Sequence, residues 1–321
     1  MTTERLILDR SRTHHCGELG EKNIGEEVVL MGWVQNRRDH GGCVFIDLRD
    51  REDVTQVVFD PLVSEEAHRL SGELRSEWVL GIVGEVRSRG DNVNDRLATG
   101  AVEVAAKKLE IFSKSKTPPF QIENNIDTSE EVRLAYRYLD LRRPSLQKNL
   151  VMRHQFNQLV RQSLSEQRFL ELETPFLIKS TPEGARDYVV PSRVHRGKFF
   201  ALPQSPQLFK QLFMVSGFDR YFQIARCFRD EDLRAERQPE FTQVDLEMSF
   251  CSEQDVQDVV EDMLAKVWRQ LKGTELKLPF ERIPYGEAMD RFGVDAPDLR
   301  FGLELQDISE TVANVEFKVF S

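Results

Sequence analysis

The sequence predicts a multidomain α+β protein, with a small closed β-barrel followed by an antiparallel sheet flanked by helices. Three observations carry this. Five strand-like segments lie at 27–35, 43–50, 55–60, 78–88 and 102–112, with one helical segment at 64–76 between the third and fourth. A polar stretch containing Pro118-Pro119 follows and breaks periodic structure. Further on, 220–250 reads RYFQIARCFRDEDLRAERQPEFTQVDLEMSF. There, two period-two segments, Tyr221–Phe228 and Phe241–Met248, flank a long charged loop, the pattern of a half-buried antiparallel hairpin.

The five strands with a helix in that place match the oligonucleotide-binding (OB) barrel, here assigned to 1–113. Gly32, Gly81 and Gly84 fall inside strands, as strongly bent barrel strands require. Pattern alone leaves open another small β-barrel with no nucleic-acid role. A linker at 114–130 leads into a mainly helical segment, where Met152, Phe156, Leu159, Val160 and Leu164 recur at helical spacing. Phe169–Leu172 then reads as a strand stopped by Pro175.

Composition bounds the function. The chain of 321 residues is 40% hydrophobic and 31% charged, with a formal net charge of −10. Its longest apolar run, near Val28 to Val34, is too short to span a bilayer, and MTTERLILDRSRTHH lacks a secretory core, so a cytoplasmic location is expected. The net charge argues weakly against nucleic-acid binding, which depends on local patches such as Arg37-Arg38 and Arg142-Arg143. Cys16, Cys43, Cys227 and Cys251 show no CxxC pairing and the histidines no HxxxH spacing. Reduced cysteines and no metal site are therefore expected, with His14-His15 a solvated pair.

The hairpin loop holds Arg229, Asp230, Glu231, Asp232, Arg234, Glu236 and Arg237. Such a loop on a rigid hairpin suits a large anionic ligand, since the planar Arg fork matches phosphate oxygens. The whole segment resembles motif 2 of class II aminoacyl-tRNA synthetases. TPEGARDYVVPSR at 181–193 and ALPQSPQLFKQL at 201–212 narrow the resemblance to the bacterial-type aspartyl branch. The helix, strand and proline before them resemble motif 1, which forms the homodimer interface in that family. The resemblance implies a class II antiparallel-sheet catalytic domain over 131–290, and at 291–321 the start of the insertion domain of bacterial aspartyl enzymes.

What it implies chemically is aspartate–tRNA ligation: L-aspartate is activated with ATP, then passed to tRNA(Asp). By resemblance, Arg229 meets the α-phosphate and the amino-acid carboxylate, Glu231 and Gln238 help hold ATP, and Phe241 stacks on adenine. Lys210 meets the substrate side chain, with Ser205 and Gln207 beside it, and Glu183 receives the substrate ammonium. An anion facing an ammonium and a cation facing a carboxylate together select an acidic amino acid. On the tRNA side the resemblance implies Arg38, His40 and Phe45 in the first barrel hairpin, with Phe45 the base stacker. Gln56 and Glu103 match positions that hydrogen-bond anticodon bases, while Arg234 and Arg237 reach the acceptor end. A histidine at 40 resembles the relaxed type that charges tRNA(Asn) as well, which would require a partner amidotransferase.

Two departures are plain. The Gly-rich motif 3, and with it the acidic ligand of Mg2+, does not occur in these 321 residues. The chain is therefore expected to be the N-terminal part of an enzyme about twice as long, inactive alone. The readings left beside this one are an asparaginyl- or lysyl-tRNA synthetase, which share the layout, and a non-catalytic tRNA-binding fragment.

Overall fold

The computed structural model describes residues 7–235, 237–313, 315 and 317–319, so Glu236 of the charged loop lies outside the described residues. The chain separates into two compact units, Met1–Leu150 and Val151–Ser321. Residues 131–150, which the family resemblance places in the second domain, group with the first unit.

The first unit is built on β1 (Glu27–His40), β2 (Cys43–Arg49), β3 (Val54–Phe59), α1 (Glu65–Ser71), β4 (Val79–Ser88) and β5 (Val102–Ser113). The strands close as β1-β2-β3-β5-β4. All pairs are antiparallel except β3 with β5. Alternation sets the two faces. Val44, Ile46, Leu48, Val57, Phe59 and Val104 point inward and are buried. Each contributes roughly 1.5–3 kcal/mol of hydrophobic stabilisation. Phe45, Asp47, Gln56 and Glu103 take the intervening, outward positions.

Two elements differ from the sequence expectation. β1 does not end at 35 but continues to His40, pairing Arg38 with Phe45 and His40 with Cys43. The turn is only Gly41-Gly42, at φ 60° and 80°. Two consecutive left-handed residues close a two-residue hairpin, which glycine alone adopts readily. The cluster Arg37–His40 therefore lies on a strand, although its charge reads as loop. Helix α1 is shorter than 64–76, because Ser64 caps its start and Gly72 ends it.

Beyond the barrel come α2 (Glu130–Ala135) and α3 (Arg137–Asp140). Phe120, Ile122 and Leu139 form a small buried cluster. Glu77 is only 2% exposed at its side chain and bonds both Arg49 (2.8 Å) and Arg142 (2.7 Å). Arg142 also sits over the Trp33 ring. Arg143 bonds Asp140 and the carbonyls of Glu123 and Asn124. The Arg142-Arg143 pair, read as a nucleic-acid patch, is thus committed to internal bonds. His15 is not merely solvated either, since its Nδ1 lies 3.1 Å from Asp50.

The second unit contains the long α4 (Pro144–Glu166), which begins in the first, then β6 (Leu170–Glu171), β7 (Val189–Pro191), β8 (Phe199–Ala201), α5 (Gln207–Val215), β9 (Arg220–Phe228), β10 (Glu240–Met248), α6 (Glu253–Lys272), α7 (Tyr285–Phe292) and α8 (Ser309–Val312). Its central sheet runs β10-β9-β6. β9 and β10 pair antiparallel over nine positions, from Arg220–Met248 to Phe228–Glu240, and β6 joins parallel to β9. One sheet face is apolar: Phe222, Val244, Leu246 and Met248 pack against Phe156, Val160 and Leu164 of α4 and Val259, Met263 and Val267 of α6. The other face carries Tyr221, Gln223, Cys227, Phe241, Gln243, Asp245 and Glu247.

Candidate active site and nucleic-acid interface

Polar side chains on the inner face of a hairpin are costly unless they are paired, and here they are nearly all paired. Gln223 accepts hydrogen bonds from the Thr174 hydroxyl and the Tyr221 hydroxyl, both at 2.9 Å. Helix α5 lies over this face and delivers Lys210, three residues after Gln207 and on the same helical side. The Lys210 ammonium lies 3.0 Å from Asp245 and 3.3 Å from Glu247. Burial pulls this ammonium down, but hydrogen bonds and charge from the two carboxylates outweigh it, so its pKa stands above the ordinary value. Burial pushes Asp245 upward against the pull of Lys210.

Sequence resemblance assigns Lys210 to the substrate side chain. In the structure this cation is already held by two carboxylates, so it is presented in a fixed place with a pre-set charge balance. Asp245 and Glu247, the carboxylates that hold Lys210, are candidate site residues that the sequence reading missed. Their signal was a row at i, i+2 and i+4, Gln243-Asp245-Glu247, polar where a doubly covered strand should be apolar.

The 181–187 loop is tied to the same place. Ser205 donates to one Glu183 oxygen at 2.5 Å, and Thr181 donates to the other at 3.0 Å. Gln204, almost fully buried, accepts from the Ala185 amide and donates to the Ala185 carbonyl and to Asp187. The Asp230 amide donates to the Arg186 carbonyl, which anchors the loop to the start of the charged segment. Gln207 is exposed.

Arg229 donates from Nε to the Gln204 carbonyl at 3.4 Å, and its guanidinium lies 5.0 Å from the centre of the Phe241 ring. That contact holds the guanidinium by cation–π attraction. Burial, the largest influence, pushes the Cys227 thiol up to about 11, so it is no nucleophile at neutral pH. Glu231 pairs with Arg237 at 3.6 Å, the Arg237 amide donates to the Arg234 carbonyl at 3.1 Å, and Gln238 is exposed.

Among the described residues no group of three or more His, Cys, Asp or Glu side chains is arranged to hold a metal ion.

On the barrel, three expected RNA-contacting side chains form one chain of bonds. Arg38 donates to Asp47 at 2.8 and 3.2 Å and to Gln56 at 3.2 Å. Gln56 donates to Glu103 at 2.8 Å, and Arg87 donates to Glu103 at 2.8 Å. Phe45, half-buried, stands opposite Arg38, and the exposed His40 lies two residues along. Asp47 and Arg87 were not singled out from sequence.

A five-stranded barrel of this topology in the first unit and a carboxylate- and arginine-lined hairpin in the second define a class of protein. The model of class II tRNA synthetases (D, K and N) matches residues 129–318, and that of the OB-fold nucleic-acid-binding domain matches 28–112. The chain belongs to the class II tRNA synthetase family.

Within that family it is similar to an aspartate–tRNA(Asp/Asn) ligase of Desulfatibacillum aliphaticivorans. The two are 60% identical over 98% of this chain and 53% of the relative. It is also similar to an aspartate–tRNA ligase of Geobacillus kaustophilus, 58% identical over 97% of this chain and 53% of the relative. Among solved structures it resembles asparaginyl-tRNA synthetase from Pyrococcus horikoshii complexed with asparaginyl-adenylate. That match has a TM-score of 0.75 at 25% identity, covering 87% of this chain and 66% of the other. The chain spans about half the length of the curated relatives it matches. No helix among the described residues is long and apolar enough to cross a membrane.

Proposed function

We propose that this chain carries the amino-acid-activating hairpin and the anticodon-reading barrel of an aspartate–tRNA ligase. In the first step an oxygen of the aspartate α-carboxylate attacks the α-phosphorus of ATP, forming aspartyl-adenylate and releasing pyrophosphate. In the second, the terminal ribose hydroxyl of tRNA attacks the adenylate carbonyl, forming the ester and releasing AMP. Arg229 is assigned to the charge that gathers on the α-phosphate, Glu183 with Ser205 to the substrate ammonium, and Lys210 to the substrate side-chain carboxylate. Phe241 is assigned to the adenine face, with Glu231 and Gln238 alongside. Stabilisation by fixed cations of this kind is the main contribution expected in such a reaction.

The observation that carries the reading is the Lys210–Asp245–Glu247 cluster. A largely buried ammonium fixed on the inner sheet face, with the anionic Glu183 held by Ser205 just before the helix that carries Lys210, gives a polarity suited to a dicarboxylic amino acid.

On the barrel we assign Arg38, His40, Phe45, Gln56 and Glu103 to the anticodon loop, and Arg234 and Arg237 of the hairpin to the acceptor end. The exposed His40, together with relatives named for both tRNAs, supports charging of tRNA(Asn) as well as tRNA(Asp). A partner amidotransferase would then convert the mischarged product. A homodimer, a cytoplasmic location, and use of Mg2+ with ATP complete the proposal.

The test is aminoacylation of tRNA(Asp) and tRNA(Asn) transcripts with labelled aspartate, by an enzyme of the relatives' length that carries this chain. Charging of both supports the proposal. Charging of neither overturns it, and charging of tRNA(Asp) alone removes the relaxed specificity.

A further inference from the structure

The bond chain on the barrel crosses all five strands: Asp47 on β2, Arg38 on β1, Gln56 on β3, Glu103 on β5 and Arg87 on β4. It alternates charge around a central neutral amide. Arg38 is half exposed, while Asp47 beneath it is 10% exposed and also accepts from Asn36 at 3.2 Å. Arginine only donates and carboxylate only accepts. The Gln56 amide is therefore held in one orientation, oxygen toward Arg38 and nitrogen toward Glu103.

We infer that Asp47 is a positioning residue for RNA recognition: its carboxylate holds the Arg38 fork, and through it the Gln56 amide, in the orientation that reads a base. Arg87 closes the other end of the same chain by holding Glu103. The inference rests on the assignment of the barrel face to RNA. Its distinguishing feature is sign. A carboxylate on an RNA-binding face repels phosphates, so if Asp47 acted only through its charge, neutralising it would tighten binding. Positioning demands the opposite, and only for the matched sequence, because base contacts and not phosphate contacts carry sequence information.

The experiment uses the 321-residue chain and fluorescence anisotropy with two probes: a hairpin bearing the tRNA(Asp) anticodon loop, and an oligoadenylate of equal length. Asp47→Asn should weaken hairpin binding about tenfold, the scale of a lost charge-assisted bond, and leave oligoadenylate binding equal or slightly tighter. Arg38→Ala should weaken hairpin binding about as much. The double variant should be no worse than Arg38→Ala, since the two act as one unit. Asp47→Glu, which keeps the carboxylate, should recover part of the loss and serves if the asparagine variant does not fold. Hairpin binding by Asp47→Asn at or above the wild-type level, with Arg38→Ala impaired, overturns the inference while leaving the RNA assignment standing. So does an additive double variant. Wild-type chain that binds both probes equally overturns the RNA assignment itself, and the inference with it.

Discussion

Replacing Lys210 by methionine tests the inner face of the hairpin most sharply. The ammonium lies between Asp245 and Glu247, with the Lys210 and Asp245 side chains only 12% and 10% exposed. Removing one partner of such a pair strands the other. Breaking a buried ion pair costs about 3–5 kcal/mol. Glu247 is a third exposed and can turn to water, which places Lys210→Met near the low end, about 3 kcal/mol. Lys210→Met with Asp245→Asn removes both charges and should cost only about 1 kcal/mol.

The assay is hydrogen exchange read by mass spectrometry on peptides from Arg220–Phe228 and Glu240–Met248, where 3 kcal/mol appears as roughly 100-fold faster exchange. The pH dependence has a definite sign. In the single variant Asp245 keeps its burial and its like-charged neighbour but loses Lys210, so its folded pKa lies further above the ordinary 3.8. A raised acid is stabilised in its protonated form. The deficit should therefore shrink as pH falls from neutral toward about 4, and be fully present at neutral pH. Wild-type protection in Lys210→Met, or a double variant worse than the single, would refute the reasoning.

Three further outcomes are expected. Arg229→Ala should reduce aspartate-dependent ATP–pyrophosphate exchange about 100- to 1,000-fold in an exchange-competent enzyme carrying this chain, and near-normal exchange would remove Arg229 from the phosphate site. Glu77→Gln should destabilise the first unit by about 3 kcal/mol, because Arg49 and Arg142 lose their shared carboxylate. Thermal unfolding followed by fluorescence of the barrel's Trp33 and Trp78 checks this, and an unchanged midpoint contradicts it. His40→Leu should lower charging of tRNA(Asn) relative to tRNA(Asp), because an imidazole can hydrogen-bond a base where leucine cannot. An unchanged ratio shows that His40 is not the determinant.

Much of this fold is legible in the sequence because both domains rest on period-two strands with unambiguous inward residues. The β9–β10 hairpin was readable to within a residue of its ends. What escaped reading shares a physical cause: sequence shows which groups are charged, not what they face. Arg142-Arg143 looks like an RNA patch until the buried Glu77 and Asp140 are seen beneath it. Asp245 and Glu247 look like ordinary strand residues until α5 sets Lys210 over them. The end of β1 was hidden because Arg37–His40 is polar on both faces, and only the Gly41-Gly42 turn reveals that the strand continues. Arg38, Gln56 and Glu103 were found singly, and their mutual bonding became visible only once the strands were registered.

Amino-acid-dependent ATP–pyrophosphate exchange tests the central claim most directly. An enzyme of the relatives' length that carries this chain would be offered aspartate, asparagine, glutamate and lysine in turn. Aspartate alone should drive exchange, and Lys210→Met should abolish that preference. Exchange driven by asparagine or lysine as well as by aspartate, or a preference untouched by Lys210→Met, would contradict the assignment of this pocket to a dicarboxylic substrate.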